Sequence, residues 1–122
     1  MREIKYKAYW HESKLMTNVD TIEFLEGGTR VSDGCMHTGW VGKDCELVQS
    51  TGVKDRTGNV IYESDIVEYF KTEPTIVTYN RYYGAWVFVG EITGATDTVY
   101  YAGGEYEVIG NIYENPELLK EG

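Results

Sequence analysis

The sequence predicts a mainly β protein. Most segments are short, rich in Val, Ile, Thr, Tyr and Trp, and bounded by turn residues, which is typical of strands. Gly is frequent (14) and Pro is rare (2), as expected for hairpin turns rather than linkers. A hydrophobic fraction of 42% and eleven Tyr exclude a disordered chain. At 122 residues, we expect one domain, 1–122.

The first half opens with a strand pattern in which Ile4, Tyr6 and Ala8 alternate with charged residues, so one face is predicted to be buried. Turn residues separate the segments that follow: polar residues after Trp10, Glu26-Gly27-Gly28 between two strands, and Asp33-Gly34 before another. The predicted strands are 3–10, 14–17, 21–25, 29–33 and 36–41.

The densest pattern, 47–67, is interrupted by a polar turn at 54–59. Further on, 85–89 is apolar on both faces, which indicates a strand inside a barrel or beneath a cover. Asn115-Pro116 predicts the start of a short helical tag. The later predicted elements are strands at 66–70, 75–79, 85–89, 98–101 and 106–112, and a helical turn over 116–120.

Charge is distributed unevenly along the chain. The net charge is −9; residues 1–60 hold eight Lys/Arg and nine Asp/Glu, whereas residues 61–122 hold three and eleven. So few cations in the second half disfavour nucleic-acid binding, which depends on phosphate neutralisation. The preferred interpretation of the acidic residues is a solvated surface, and the alternative is a face that docks a basic partner or imitates nucleic acid to one. The N-terminus has no apolar signal region and no segment is long enough to span a membrane, so we expect a cytoplasmic location.

Two sets of residues are weighed as chemical sites. A candidate zinc site consists of Cys35, His37 and Cys45, with His11 as a fourth ligand. The pattern lacks a Cys-x-x-Cys pair, which is typical of zinc sites. The preferred interpretation is that both cysteines are reduced thiols and that the chain holds no cofactor. Cys35 and His37 would also share one strand face, a weak geometry for a thiol enzyme.

Carboxylates form the second set. Asp55, Glu63 and Asp65 could hold a divalent cation or perform acid–base chemistry. The preferred interpretation is that Asp65 caps a turn and Glu63 is solvated.

The candidate binding site is an aromatic loop between two strands. Aromatic loop residues of small barrels often bind extended peptides. Stacking on single-stranded bases is disfavoured, because Arg81 is the only nearby residue in the sequence that could contact phosphate. The alternatives are rings that cover the core or form a self-interface. The residues are Tyr79, Arg81, Tyr82, Tyr83 and Trp86.

Three ordered blocks resemble the YopX family of phage and prophage proteins: the opening strand at 1–10, the stretches 49–55 and 61–67, and the closing segment 108–119. Ser64 departs from the family pattern, which usually has Gly there. The resemblance implies an SH3-type β-barrel, built mainly from 51–122, joined to an N-terminal strand-rich portion, 1–50. It implies no catalytic residues, because no activity is established for the family.

We therefore expect a phage or prophage accessory protein, non-enzymatic, that binds a host or phage protein. A homo-oligomer is a further alternative, since unpaired strand edges and abundant Tyr favour one. The other classes left open are a nucleic-acid-associated phage protein and a metal-dependent enzyme that uses the acidic cluster.

Overall fold

The structure, a computed structural model, describes residues 5–69, 74–81, 84–90, 96–98 and 103–119. The strands are, in chain order, β1 Tyr6–Trp10, β2 Leu15–Asn18, β3 Thr21–Leu25, β4 Gly28–Ser32, β5 Thr38–Trp40, β6 Cys45–Lys54, β7 Val60–Tyr62, β8 Asp65–Glu68, β9 Thr75–Asn80, β10 Ala85–Gly90, β11 Thr96–Thr98 and β12 Glu107–Asn111. Short 3-10 helices cover Gly103–Glu105 and Pro116–Leu119.

The chain divides into two compact units inside β6, between Gln49 and Ser50. We call them the N-terminal unit, Lys5–Gln49, and the C-terminal unit, from Ser50 onward. That they form one domain stays a prediction. No helix in the described ranges is long and apolar enough to cross a membrane.

Two antiparallel sets of strands build the N-terminal unit. β1 pairs with β2 on one side and with the start of β6 on the other, and β3, β4 and β5 form a second sheet in that order. Ala8, Trp10, Val31 and Cys45 form its buried core. Ala8 and Trp10, two residues apart in β1, are buried, which confirms one buried face, whereas Lys7 and Tyr9 on the other face are half-buried rather than fully exposed. Ile4, predicted on the buried face, lies outside the described residues.

The C-terminal unit contains a five-stranded antiparallel sheet in the order β11-β10-β9-β8-β12, curled like a half-barrel, while the end of β6 pairs with β7. Ile61, Val67, Val77 and Phe88 form its core. Val87 and Phe88 are both buried although they point to opposite faces of β10, as the sequence predicts. The mainly β, barrel-like fold class with a short C-terminal helical turn is confirmed.

One predicted strand is shorter than the sequence-based expectation. The predicted strand 36–41 is restricted to β5, because the Asp33 side chain binds the backbone of residues 35–37 and holds it as a loop. Of the strand predicted at 98–101, Thr98 ends β11, and residues 99–101 lie outside the described ranges.

At the C-terminus, the helical turn begins at Pro116 as predicted, and the Asn115 carbonyl accepts its first hydrogen bond, from the Leu118 N–H. The Asn115 side chain accepts from the Asn111 backbone N–H, so it binds the chain before the turn rather than the turn itself. A β-carbon on Gly110 would lie 2.6 Å from Asn115 Oδ1, so this contact requires glycine there. The segment that follows is a single 3-10 turn, Pro116–Leu119.

Ser64 lies in the turn between β7 and β8 with a φ of 71°, the left-handed region that favours glycine. Its backbone N–H donates to the Val77 carbonyl (2.8 Å) and its carbonyl accepts from the Ile112 N–H (3.0 Å). Since β9 and the segment after β12 both depend on this turn, the serine cannot relax out of the strained conformation without losing those bonds.

Ser64→Gly is expected to raise the free energy of unfolding by about 0.5 kcal/mol, because relief of the left-handed strain exceeds the extra entropy of glycine in the unfolded chain. Urea denaturation measures the difference. Ser64→Ala is the matched control, since it removes the hydroxyl but keeps the β-carbon and the strain. Equal midpoints for the glycine and alanine variants would show that the turn stores no strain.

Candidate functional site

The aromatic site lies on the β9–β10 hairpin of the C-terminal unit. Tyr79 in β9 pairs directly with Trp86 in β10, and their rings meet edge-on with centroids 5.2 Å apart and an interplanar angle of 76°. Arg81 is exposed in the connecting turn. Tyr82 and Tyr83, the other two predicted binding residues, lie outside the described residues. The structure thus brings Tyr79 and Trp86 together, and Arg81 follows Tyr79 by two residues in the chain.

Strand register explains why these rings meet. Val77 lies opposite Phe88, and Tyr79 lies opposite Trp86, so all four side chains share one face of the hairpin. Val77 and Phe88 are fully buried, and Trp86 packs against their cluster. Tyr79 at the outer end of this face is 46% exposed. The apolar face therefore begins in the core and ends at the surface.

Arg81 supplies positive charge in the turn that connects the two strands. The ion pairs within the described residues join His11 to Glu46, His37 to Asp33, and Arg56 to Glu107, and none includes Arg81. An exposed guanidinium beside an exposed aromatic ring can bind both carboxylate groups and apolar side chains.

Asp55 is a structural carboxylate. It is buried, and its Oδ1 accepts hydrogen bonds from the Thr57 and Asn59 backbone N–H groups and from the Thr57 hydroxyl, while its Oδ2 accepts one from the Val108 N–H. Burial alone would raise the pKa of Asp55, but the hydrogen bonds from Val108, Asn59 and Thr57 outweigh it and the pKa is lowered.

Asp65 likewise accepts the Tyr62 backbone N–H at 2.8 Å, as expected for a residue that caps a turn. In the described part of the chain, no group of three or more His, Cys, Asp or Glu residues is arranged to hold a metal ion.

The two cysteines differ in exposure: Cys45 is buried and Cys35 is exposed. Cys45 is buried in the core of the N-terminal unit, and burial, followed by the nearby carboxylates Asp44 and Glu46, raises the pKa of its thiol to about 11. Cys35 is exposed in the loop before β5 rather than on a strand face beside His37. Both ring nitrogens of His37 have oxygen partners, so the alternative of a Cys35–His37 pair for a thiol enzyme is not formed.

His37 lies instead in an open cleft of about 600 Å³ in the N-terminal unit. Its Nδ1 is 2.7 Å from Asp33 Oδ2, and its Nε2 is 3.0 Å from the Ser13 hydroxyl oxygen. The indole of Trp10 stacks on the imidazole with centroids 5.0 Å apart. The described residues that line the cleft are Trp10, His11, Glu12, Ser13, Met36, His37, Thr38, Lys43 and Asp44.

Comparison with known proteins places the chain in a family. The family model described as YopX protein matches residues 5–120. The chain belongs to the YopX family. Among curated proteins, none matches it.

Two solved structures resemble this YopX-family chain. Protein EF1440 from Enterococcus faecalis is 26% identical, with 98% of this chain and all (100%) of that chain covered, and the TM-score is 0.65. Protein yopX from Bacillus subtilis is 20% identical, with 95% and 98% covered and a TM-score of 0.61; this second likeness shows the fold alone.

The segments that resemble the YopX family lie in strands and turns of the fold. The stretch 49–55 lies in β6 and the residue after it, 61–67 spans the β7–β8 turn, and 108–119 contains most of β12 and the last 3-10 turn. The residues that line the cleft around His37 lie outside these segments, and only Trp10 belongs to the remaining family-like block, 1–10. Sequence reasoning missed the roles of Ser13 and Asp33, because the serine is 24 residues from His37 and no motif spacing connects them.

Proposed function

We propose that this YopX-family chain is a phage or prophage accessory protein of the host cytoplasm that acts by binding another protein through the β9–β10 hairpin. The observation that carries this proposal is the exposure of Tyr79 while its ring is held against Trp86. An aromatic ring fixed at the surface loses little conformational entropy on binding, which is why Tyr and Trp dominate the energetics of interfaces.

The charge of the chain supports a basic partner. The second half, residues 61–122, has three cations and eleven acids, and basic segments are attracted to such a surface before contact. Arg81 then adds a local donor for a carboxylate or a carbonyl of the bound segment. The proposed occupant is therefore an extended, predominantly basic segment of a host or phage protein, with an apolar side chain that packs on Tyr79.

Tyr79→Ala is expected to reduce capture of that partner by about tenfold or more, since a central aromatic anchor is worth at least about 1.4 kcal/mol. Tagged wild-type and variant chains are incubated with host lysate, and the captured proteins are quantified by mass spectrometry. The matched control is Phe24→Ala, which removes another exposed ring, 83% exposed, from the N-terminal unit.

A partner enriched by wild type and Phe24→Ala, and depleted for Tyr79→Ala, supports the proposal. Equal capture by all three proteins overturns the hairpin as the binding site. Self-association that depends on Tyr79 and captures no other protein would instead make the hairpin a self-interface.

A further inference from the structure

We propose that Ser13, His37 and Asp33 form a nucleophilic site in the N-terminal unit that accepts acyl groups from small, uncharged carboxylic esters. The inference goes beyond the binding function proposed above and rests on different residues. It departs from the expectation of a non-enzymatic chain, which was based on sequence motifs.

The loop that carries His37 is fixed by one carboxylate. Asp33 Oδ1 accepts the backbone N–H groups of Cys35, Met36 and His37 at 2.9 to 3.0 Å. Its other oxygen, Oδ2, accepts from His37 Nδ1 at 2.7 Å. The same side chain therefore sets both the backbone and the ring orientation of His37, which is how a positioning residue holds an imidazole.

Asp33 also determines which ring nitrogen of His37 carries the proton. The hydrogen bond from the His37 backbone N–H, with those from Cys35 and the His37 ring, holds the pKa of Asp33 well below its ordinary value against the effect of burial. An ionised carboxylate can only accept hydrogen bonds, so His37 Nδ1 is the donor. In the neutral imidazole, Nε2 then has a free lone pair directed at the Ser13 hydroxyl, 3.0 Å away.

Ser13 is presented by the turn between β1 and β2. Residues 11–14 form this turn, closed by a hydrogen bond from the Lys14 N–H to the Trp10 carbonyl at 2.8 Å, with Lys14 at a φ of 60°. The serine is exposed and lines the cleft, while the His37 side chain is mostly buried. This places an accessible nucleophile next to a shielded base, the arrangement that nucleophilic catalysis requires.

The lining of the cleft indicates the class of substrate. Met36 is exposed and offers apolar surface for an acyl chain or an aromatic alcohol, whereas Trp10 is buried and stacks on the His37 ring. Glu12 and Asp44 line the same cleft and repel anions, which favours uncharged esters. Lys43 is the one lysine or arginine among the described lining residues, so the proposed reaction assigns to it the stabilisation of a developing oxyanion.

The proposed reaction proceeds in two balanced steps. Ser13 Oγ attacks the ester carbonyl carbon as its proton passes to His37 Nε2; the tetrahedral intermediate then expels the alcohol, which takes that proton, and leaves an acyl ester on Ser13. Water next attacks this ester and gives a proton to His37 Nε2. Collapse of the second intermediate releases the carboxylic acid and returns the proton to Ser13 Oγ.

The experiment uses p-nitrophenyl butyrate with the whole chain and records p-nitrophenolate release together with the mass of the acylated protein. Wild type is expected to gain one butyryl group on Ser13. Ser13→Ala and His37→Gln are each expected to slow release by about 100-fold. Cys35→Ala is the matched control, because it removes the exposed thiol of the same loop, and is expected to react at the wild-type rate.

Nitrogen-15 NMR of the His37 imidazole shows whether Asp33 sets the tautomer of His37 or only holds the loop that carries it. In wild type, Nδ1 is expected to carry the proton; in Asp33→Asn the proton is expected on Nε2, with a matching loss of reactivity. Thermal unfolding of each variant checks that it is folded.

Several outcomes overturn the proposal: butyryl groups found on Cys35 or Lys43 rather than Ser13, a folded Ser13→Ala variant that reacts at the wild-type rate, or a wild-type protein that releases p-nitrophenolate no faster than buffer. None of these results bears on Tyr79, so the binding function is tested separately.

Discussion

Asp55→Ala is expected to lower the free energy of unfolding by about 3 kcal/mol, because it removes a buried carboxylate and leaves three backbone donors without their partner. The carboxylate accepts hydrogen bonds from three backbone N–H groups, of Thr57, Asn59 and Val108. The bond to Val108 spans 53 residues, so the side chain fastens the 55–59 turn to β12. Asp55→Ala therefore removes the side-chain bonds that hold the turn and also the bond that joins this turn to β12.

Urea denaturation followed by circular dichroism measures this loss. Glu107→Gln is the matched control: it removes an exposed carboxylate that pairs with Arg56, and exposed ion pairs contribute under about 1 kcal/mol. A small effect of both substitutions would contradict the structural role of Asp55 and return it to consideration as a metal ligand or acid–base group.

The same carboxylate makes stability depend on pH. Because the folded-state pKa of Asp55 is lowered, its stabilising contribution is complete above the ordinary carboxyl pKa of about 4 and is lost as the pH falls through the lower folded value. The difference in unfolding free energy between wild type and Asp55→Asn is therefore expected to shrink on acidification.

Phe88→Ala is expected to lower the free energy of unfolding by about 4 kcal/mol, the largest single effect in the C-terminal unit. The ring is fully buried in β10 and stacks on Tyr106 with centroids 4.1 Å apart. It also lies opposite Val77, so the substitution leaves a cavity between paired strands.

The measurement is again the urea midpoint. Phe24→Ala removes a ring of the same size from an exposed position and is expected to change stability by under about 0.5 kcal/mol. Similar midpoints for the two variants would mean that Phe88 is not part of the core.

Much of the fold follows from local pattern. Ala8 and Trp10 alternate with more exposed neighbours in β1, and the glycine pair at 27–28 marks the β3–β4 hairpin, so both elements are predicted correctly. Val87 and Phe88 are apolar on opposite faces, and β10 is buried on both. These features depend on residues close together in the chain, where periodicity and turn chemistry are sufficient.

The rest depends on contacts that pattern does not encode. Asp33 holds residues 35–37 as a loop, although their composition fits a strand, because its side chain satisfies their backbone donors. From the sequence, Asp55 is a candidate member of an acidic cluster, whereas in the structure it binds the Val108 N–H, 53 residues away. Tyr79 and Trp86 were predictable as neighbours from the hairpin, whereas Ser13 meets His37 through the packing of two separate turns.

Hydrogen–deuterium exchange of the whole chain, alone and bound to its captured partner, tests the proposed binding function most directly. New protection is expected in β9 and β10, around Tyr79 and Trp86; Tyr79→Ala is expected to weaken it and Phe24→Ala to leave it intact. Protection confined to the β3–β4 hairpin around Phe24, with unchanged exchange in β9 and β10, would contradict it.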